Sequence, residues 1–102
     1  MTLPPDVHVR SLTPDDAVAC DDVIRSLPYH FGNPQGREDC ANAVRAHAGI
    51  VALVGAEVAG FLTWKPWFDT ACEITWMAVH AERRGVGLGT LLVDQFAARA
   101  SE

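Results

Sequence analysis

The 102-residue sequence predicts one α/β domain with a mixed, mostly antiparallel central sheet and helices on both faces, in the order β-α-α-β-β-β-α. Three observations carry that expectation. Ile50–Val54 and Val58–Trp64 are apolar on both faces and are joined by Gly55-Ala56-Glu57, which reads as a hairpin at the centre of a covered sheet. Thr13-Pro14-Asp15-Asp16 opens a stretch with apolar residues at helical spacing. Glu73–Val79, a strand-like run, passes through a polar link into Arg84-Gly85-Val86-Gly87-Leu88-Gly89-Thr90 and then into a second helical pattern.

The bulk properties bound the function. A chain of 102 residues makes one domain with a real core. With 49% hydrophobic and 21% charged residues it is globular rather than disordered. The net charge of −5 argues against nucleic acid as a partner and tolerates a cationic amine substrate. Cys20, Cys40 and Cys72 are odd in number and lack metal-like spacing, so free thiols, no metal and a reducing cytoplasmic location are expected. No apolar run reaches membrane-spanning length, and the N-terminus, with Asp6 and two prolines, is not a signal peptide, so no membrane partner is expected.

In chain order, Val7–Leu12 alternates and predicts a first strand. Thr13 is the N-cap of the first helix, Pro14 its first helical residue, and Asp16 closes a capping box. Ala17, Cys20, Ile24 and Leu27 form its buried face; Asp21, Asp22 and Arg25 form a solvated one. Leu27–Pro34 is a loop. The second helix is predicted from about Arg37 to His47, with Cys40, Ala43, Val44 and His47 inward, ended by Gly49. His47 in its last turn would complement the helix dipole. After the hairpin, Lys65–Ala71 is expected to be a loop, because Pro66 argues against a long central strand there. Trp67 and Phe68 either cap a cavity or sit at the core edge. Period-two alternation in Glu73–Val79 puts Glu73, Thr75, Met77 and Val79 on one face and Ile74, Trp76 and Ala78 on the other.

The glycine-rich stretch carries the chemistry. A helix start offers orphan backbone N–H groups and the positive end of the helix dipole, and glycines let a bulky anion approach them. No Gly-Lys-Ser/Thr follows, so it is not a P-loop, and G-x-G-x-G is not the dinucleotide fingerprint. The bland reading is a glycine-rich helix start with no ligand. Arg84-x-x-Gly87-x-Gly89 resembles the acetyl-CoA signature R/Q-x-x-G-x-G/A of the GNAT superfamily of N-acetyltransferases. It follows an apolar strand ending Met77-Ala78-Val79-His80 and precedes a helix, as the signature does between that family's fourth strand and third helix.

The resemblance implies that acetyl-CoA is the cosubstrate and that a primary amine of a small molecule or peptide attacks its thioester directly. Backbone groups of Met77, Ala78 and Val79 would pair with the pantetheine arm. The diphosphate would lie on Arg84, Gly85, Val86, Gly87, Leu88, Gly89 and Thr90. Glu73 falls where one branch of the family has a glutamate base; otherwise it is a strand-end residue pairing with Lys65. Tyr29, His30 and Phe31 would line the acceptor side, or else the aromatics plug the core. The family's usual fifth strand, fourth helix and closing hairpin have no counterpart before Glu102, and Tyr29 is the sole tyrosine. The expectation is therefore a fragment or a homodimer whose partner supplies the missing wall. It leaves two function classes, an N-acetyltransferase and a catalytically weak acyl-CoA-binding or assembly module.

Overall fold

The structure, a computed structural model, describes residues 3–27, 33–67 and 71–100. It has the predicted element order: β1 (Val7–Ser11), α1 (Ala17–Arg25), α2 (Pro34–Ala46), β2 (Ala48–Val54), β3 (Glu57–Trp67), β4 (Ala71–Val79) and α3 (Leu88–Ala100). The strands lie in the order β1-β2-β3-β4, each antiparallel to its neighbour. The strongly apolar hairpin β2–β3 is thus central, and β4 is a terminal strand.

Alternation in the central strands divides the core in two. Val51, Leu53, Phe61 and Ala78 pack with Cys20, Val23, Ile24, Cys40 and Val44 of α1 and α2. Ile50, Ala52, Ala59 and Leu62 pack with Leu88 and Leu92 of α3 on the opposite face. Trp64 and Phe96 meet there with ring centroids 5.4 Å apart. Leu91 and Phe96 are only partly covered and Val93 is exposed, so the inward arc of α3 is narrower than its composition suggests.

The first helix begins as a short turn, Pro14–Asp16, before α1 proper. Asp16, expected only to close a cap, is buried: its carboxylate accepts the Thr13 N–H at 2.8 Å and both guanidinium arms of Arg10 at 2.8 Å. It therefore fastens β1 to α1 with charge-assisted bonds. The polar face of α1 is not simply solvated either, because Asp21 pairs with Arg45 of α2 at 2.7 Å.

Three sequence expectations are corrected. First, α2 starts at Pro34, earlier than Arg37, because Asn33 accepts the Gly36 N–H at 2.8 Å and caps it. It ends at Ala46, so His47 leaves the helix in extended conformation instead of standing in the last turn. Second, β3 continues through Pro66. The β2–β3 register ends at Ala48↔Trp64, so beyond Trp64 β3 has a neighbour only on the β4 side, where Pro66 faces Cys72. A missing N–H is tolerated on such an edge. Third, the alternation of β4 breaks. Thr63 pairs with Trp76 but Trp64 pairs with Ile74, so Thr75 is the extra residue of a bulge. Tyr29, His30, Phe31 and Phe68 lie outside the described residues.

Candidate functional site

The end of β4 and the start of α3 enclose a groove of about 300 Å³. Met77, Ala78 and Val79 form one wall, Arg83, Arg84, Gly85 and Gly87 the turn, and Leu88, Gly89 and Thr90 the helix start. The structure brings together nine of the ten residues singled out for cofactor binding; Val86 instead packs toward the α3 side of the core.

Local bonds hold both ends of the turn. The His80 N–H donates to the Ala59 carbonyl at 2.8 Å, continuing the β3–β4 ladder. His80 then caps the turn Ala81–Arg83, accepting the Glu82 N–H on Nδ1 at 3.1 Å. The Ala81 N–H donates to Ser26 Oγ at 3.0 Å, and Arg83 pairs with Glu57 at 3.0 Å. Gly85 and Gly87 adopt φ values of 81° and 89°, which an L side chain rarely takes. That reversal lets α3 begin at Leu88, with the Leu91 N–H donating to the Gly87 carbonyl at 3.0 Å. The amides before Leu91 have no partner of this helical kind, so they are available at the groove.

A ligand's fit can be judged from the glycines. A Cβ at Gly85 would meet nothing within 4 Å, and one at Gly89 only the Met77 Cε at 3.9 Å. Arg84 is exposed and has no carboxylate partner among the described residues. A helix dipole, free amides and an unpaired guanidinium together suit a diphosphate-sized anion.

The edge of β4 adds a second feature. Because His80 bonds inward to Ala59, the antiparallel ladder makes Ala78 bond inward as well. The N–H and C=O groups of Met77 and Val79 therefore face the free edge, ready to pair with an extended amide chain. Gly60 permits the β3–β4 approach here, since a Cβ on it would lie 2.9 Å from the Ala78 carbonyl oxygen.

Glu73 is exposed, opposite Lys65 in register, and outside the groove lining. One constellation was not anticipated from sequence. His47 Nδ1 lies 3.0 Å from Thr75 Oγ1, which lies 2.7 Å from Thr63 Oγ1. Thr63 is fully buried, and its hydroxyl in the otherwise apolar run Val58–Trp64 was the one signal available. Burial, and next the Lys65 ammonium, lower the pKa of His47 below the ordinary imidazole value. Among the described residues no group of acidic, histidine and cysteine side chains could hold a metal, and no helix is long and apolar enough to cross a membrane.

The fold and groove define a small α/β domain in which the end of a strand and the start of a helix line one groove. The chain belongs to the acetyltransferase (GNAT) family, whose profile matches residues 18–102. Its fold is similar to that of a GNAT-family protein from Desulfovibrio desulfuricans, with TM-score 0.79 and 22% identity over 93% of this chain and 66% of that one. It is also similar to a GNAT-family acetyltransferase from Brucella melitensis solved in complex with acetyl-CoA, with TM-score 0.77, 23% identity and coverage of 93% and 68%. A ribosomal-protein-alanine N-acetyltransferase from Brucella melitensis biovar Abortus 2308 superposes with TM-score 0.70, 24% identity and coverage of 93% and 72%. At such identities the likeness is one of fold. No curated protein matches the sequence.

Proposed function

We propose that the protein is an N-acetyltransferase that moves an acetyl group from acetyl-CoA to a primary amine of a small molecule or peptide. The observation that carries this reading is the continuity of the groove, from the outward backbone of Met77 and Val79 to the glycine turn and the first amides of α3. The diphosphate lies on the turn Arg84–Thr90, with Arg84 supplying a compensating charge. The pantetheine arm runs along β4 as an added strand, pairing with Met77 and Val79, and Ala78 lines its path. A backbone N–H facing the thioester carbonyl polarises it and stabilises the oxyanion formed on attack.

The attacking amine must shed a proton, and Glu73 is a carboxylate able to take it directly or through water. Tyr29, His30 and Phe31 belong to the proposed acceptor side. Homodimerisation is part of the proposal too, since the β4 edge before Met77, with the exposed Ile74, offers a second copy a surface beside the stretch that the pantetheine arm occupies. Light scattering checks that point.

Calorimetric titration with CoA, joined to a turnover assay with acetyl-CoA and a panel of amines, tests the reading. Binding with turnover supports it; binding without turnover leaves the acyl-CoA-binding module; no binding overturns both. Glu73→Gln is expected to lower turnover by about 10²-fold or more while CoA affinity stays nearly unchanged. Turnover within about threefold of the parent from pH 6 to 9 would relegate Glu73 to a structural role.

A further inference from the structure

The bulge in β4 turns Thr75 toward the α1–α2 face, where its hydroxyl joins His47 to Thr63. His47 is the residue that follows α2, partly exposed, and Nδ1 is its anchored nitrogen, which leaves Nε2 as the unanchored one. If Nδ1 carries the proton, it donates to Thr75 Oγ1, and Thr75 donates in turn to Thr63. In that tautomer Nε2 presents a lone pair, and a proton gained there makes an imidazolium whose other N–H is already bonded. A neutral imidazole oriented in this way is the arrangement of a general base and its orienting partner.

Position along the strand puts Thr75, which holds this ring, nearer to Met77 than Glu73 is. Thr75, at the bulge, is no more than about 7 Å of strand from Met77, whereas Glu73 is three ladder steps away, about 10 Å, since their partners are Lys65 and Leu62. The charged groups on the adjoining elements are Lys65 on β3 and, opposite it, Glu73 on β4, while Arg45 on α2 is engaged by Asp21. Burial and the Lys65 ammonium both favour the neutral ring at pH 7.

We propose that His47, oriented by Thr75 and Thr63, is a second proton-accepting residue, on the α1–α2 side of β4. The proposal rests on the acetyl-transfer reading above. The free amine attacks the thioester carbonyl and forms an N–C bond, and the adduct's ammonium proton passes to His47 Nε2. The C–S bond then breaks, and the departing thiolate recovers that proton from the imidazolium through solvent water, leaving amide and free CoA.

The test is the pH dependence of kcat/KM from pH 5 to 9 for the parent, His47→Gln, Thr75→Val, Thr75→Ser and Glu73→Gln, with CoA affinity measured calorimetrically for each. The expected result is a limb below neutrality in the parent that disappears in His47→Gln and persists in Glu73→Gln. Activity at pH 7 should fall by about 10²-fold in His47→Gln. Thr75→Val should move the limb, and Thr75→Ser, which keeps the hydroxyl, should restore it, with CoA affinity unchanged throughout. A parental limb in His47→Gln, or equal profiles for Thr75→Val and Thr75→Ser, overturns the role of His47 alone. A parent that binds CoA but turns over no amine overturns the acetyl-transfer reading and this proposal with it.

Discussion

Thr75 Oγ1 lies 2.7 Å from Thr63 Oγ1, although the register partner of Thr63 is Trp76. Two residues of β4 thus answer one residue of β3 on the α1–α2 side: Trp76 packs against that core and Thr75 satisfies a hydroxyl buried within it. Below the bulge Glu73 opposes Lys65, and above it Met77 opposes Leu62, whose side chain belongs to the α3 core. The bulge therefore changes which residues share a face, and it ends where the free-edge backbone of the groove begins.

Removing the Thr75 hydroxyl should be costly out of proportion to its size. Thr75→Val leaves the fully buried Thr63 hydroxyl without this partner, a loss of about 1–3 kcal/mol in unfolding free energy. Urea denaturation of Thr75→Val, Thr63→Val and the double variant checks it. The double variant should lose less than the sum of the singles, because the second substitution removes a group already left unpaired. Strict additivity would mean that the hydroxyl pair contributes nothing.

The features legible in the sequence are those that depend on local pattern. The central hairpin announced itself through Val51, Leu53, Phe61 and Leu62, because a strand covered on both faces has apolar residues at every position. The groove was legible for the same kind of reason, since Gly85 and Gly87 mark positive φ and Leu88 and Leu92 mark the helix that follows. What could not be read depends on distant partners. A bulge such as that at Thr75 has no sequence signature, and a one-residue slip exchanges the faces of all that follows. His47 gave no hint of Thr75, 28 residues away. Asp16 looked like a helix cap because its bond to Thr13 is local, whereas its pairing with Arg10 on β1 required the fold.

The Asp16 cluster should govern acid stability. The Arg10 guanidinium first, and then the Thr13 N–H and hydroxyl, lower its pKa from 3.8 to about 2. A depressed folded value stabilises the protein above the unfolded value and ceases to do so as pH falls through the folded one. The stabilisation should therefore be complete above about pH 4 and lost between about pH 4 and pH 2, amounting to about 1–2 kcal/mol once the partial exposure of Arg10 is allowed for. Asp16→Asn should unfold more readily than the parent at pH 7, and the gap should close toward pH 2. Chemical denaturation across that range gives both curves; a gap independent of pH would mean that the carboxylate charge is not what stabilises the β1–α1 junction.

Gly87 and Gly89 are two residues apart, one in the turn and the other in the first turn of α3, and the structure gives them opposite tolerances. Gly87 has φ of 89°, so any side chain there strains the backbone by about 1–2 kcal/mol or forces the turn to flip. A flipped turn no longer aims the helix-start amides into the groove. Gly87→Val should therefore lose stability and also weaken CoA binding by about 2 kcal/mol or more, through lost charge-assisted bonds. Gly89 lies within α3 with an ordinary negative φ, and an added methyl would touch only the Met77 Cε at 3.9 Å. Gly89→Ala should keep CoA affinity within about threefold and raise the unfolding free energy by up to about 1 kcal/mol, as alanine does in a helix. Thermal melts and CoA titrations on the two variants separate the effects. Equal losses of affinity in both would mean that the ligand's anion sits against Gly89 itself, deeper on the helix axis than the turn geometry implies.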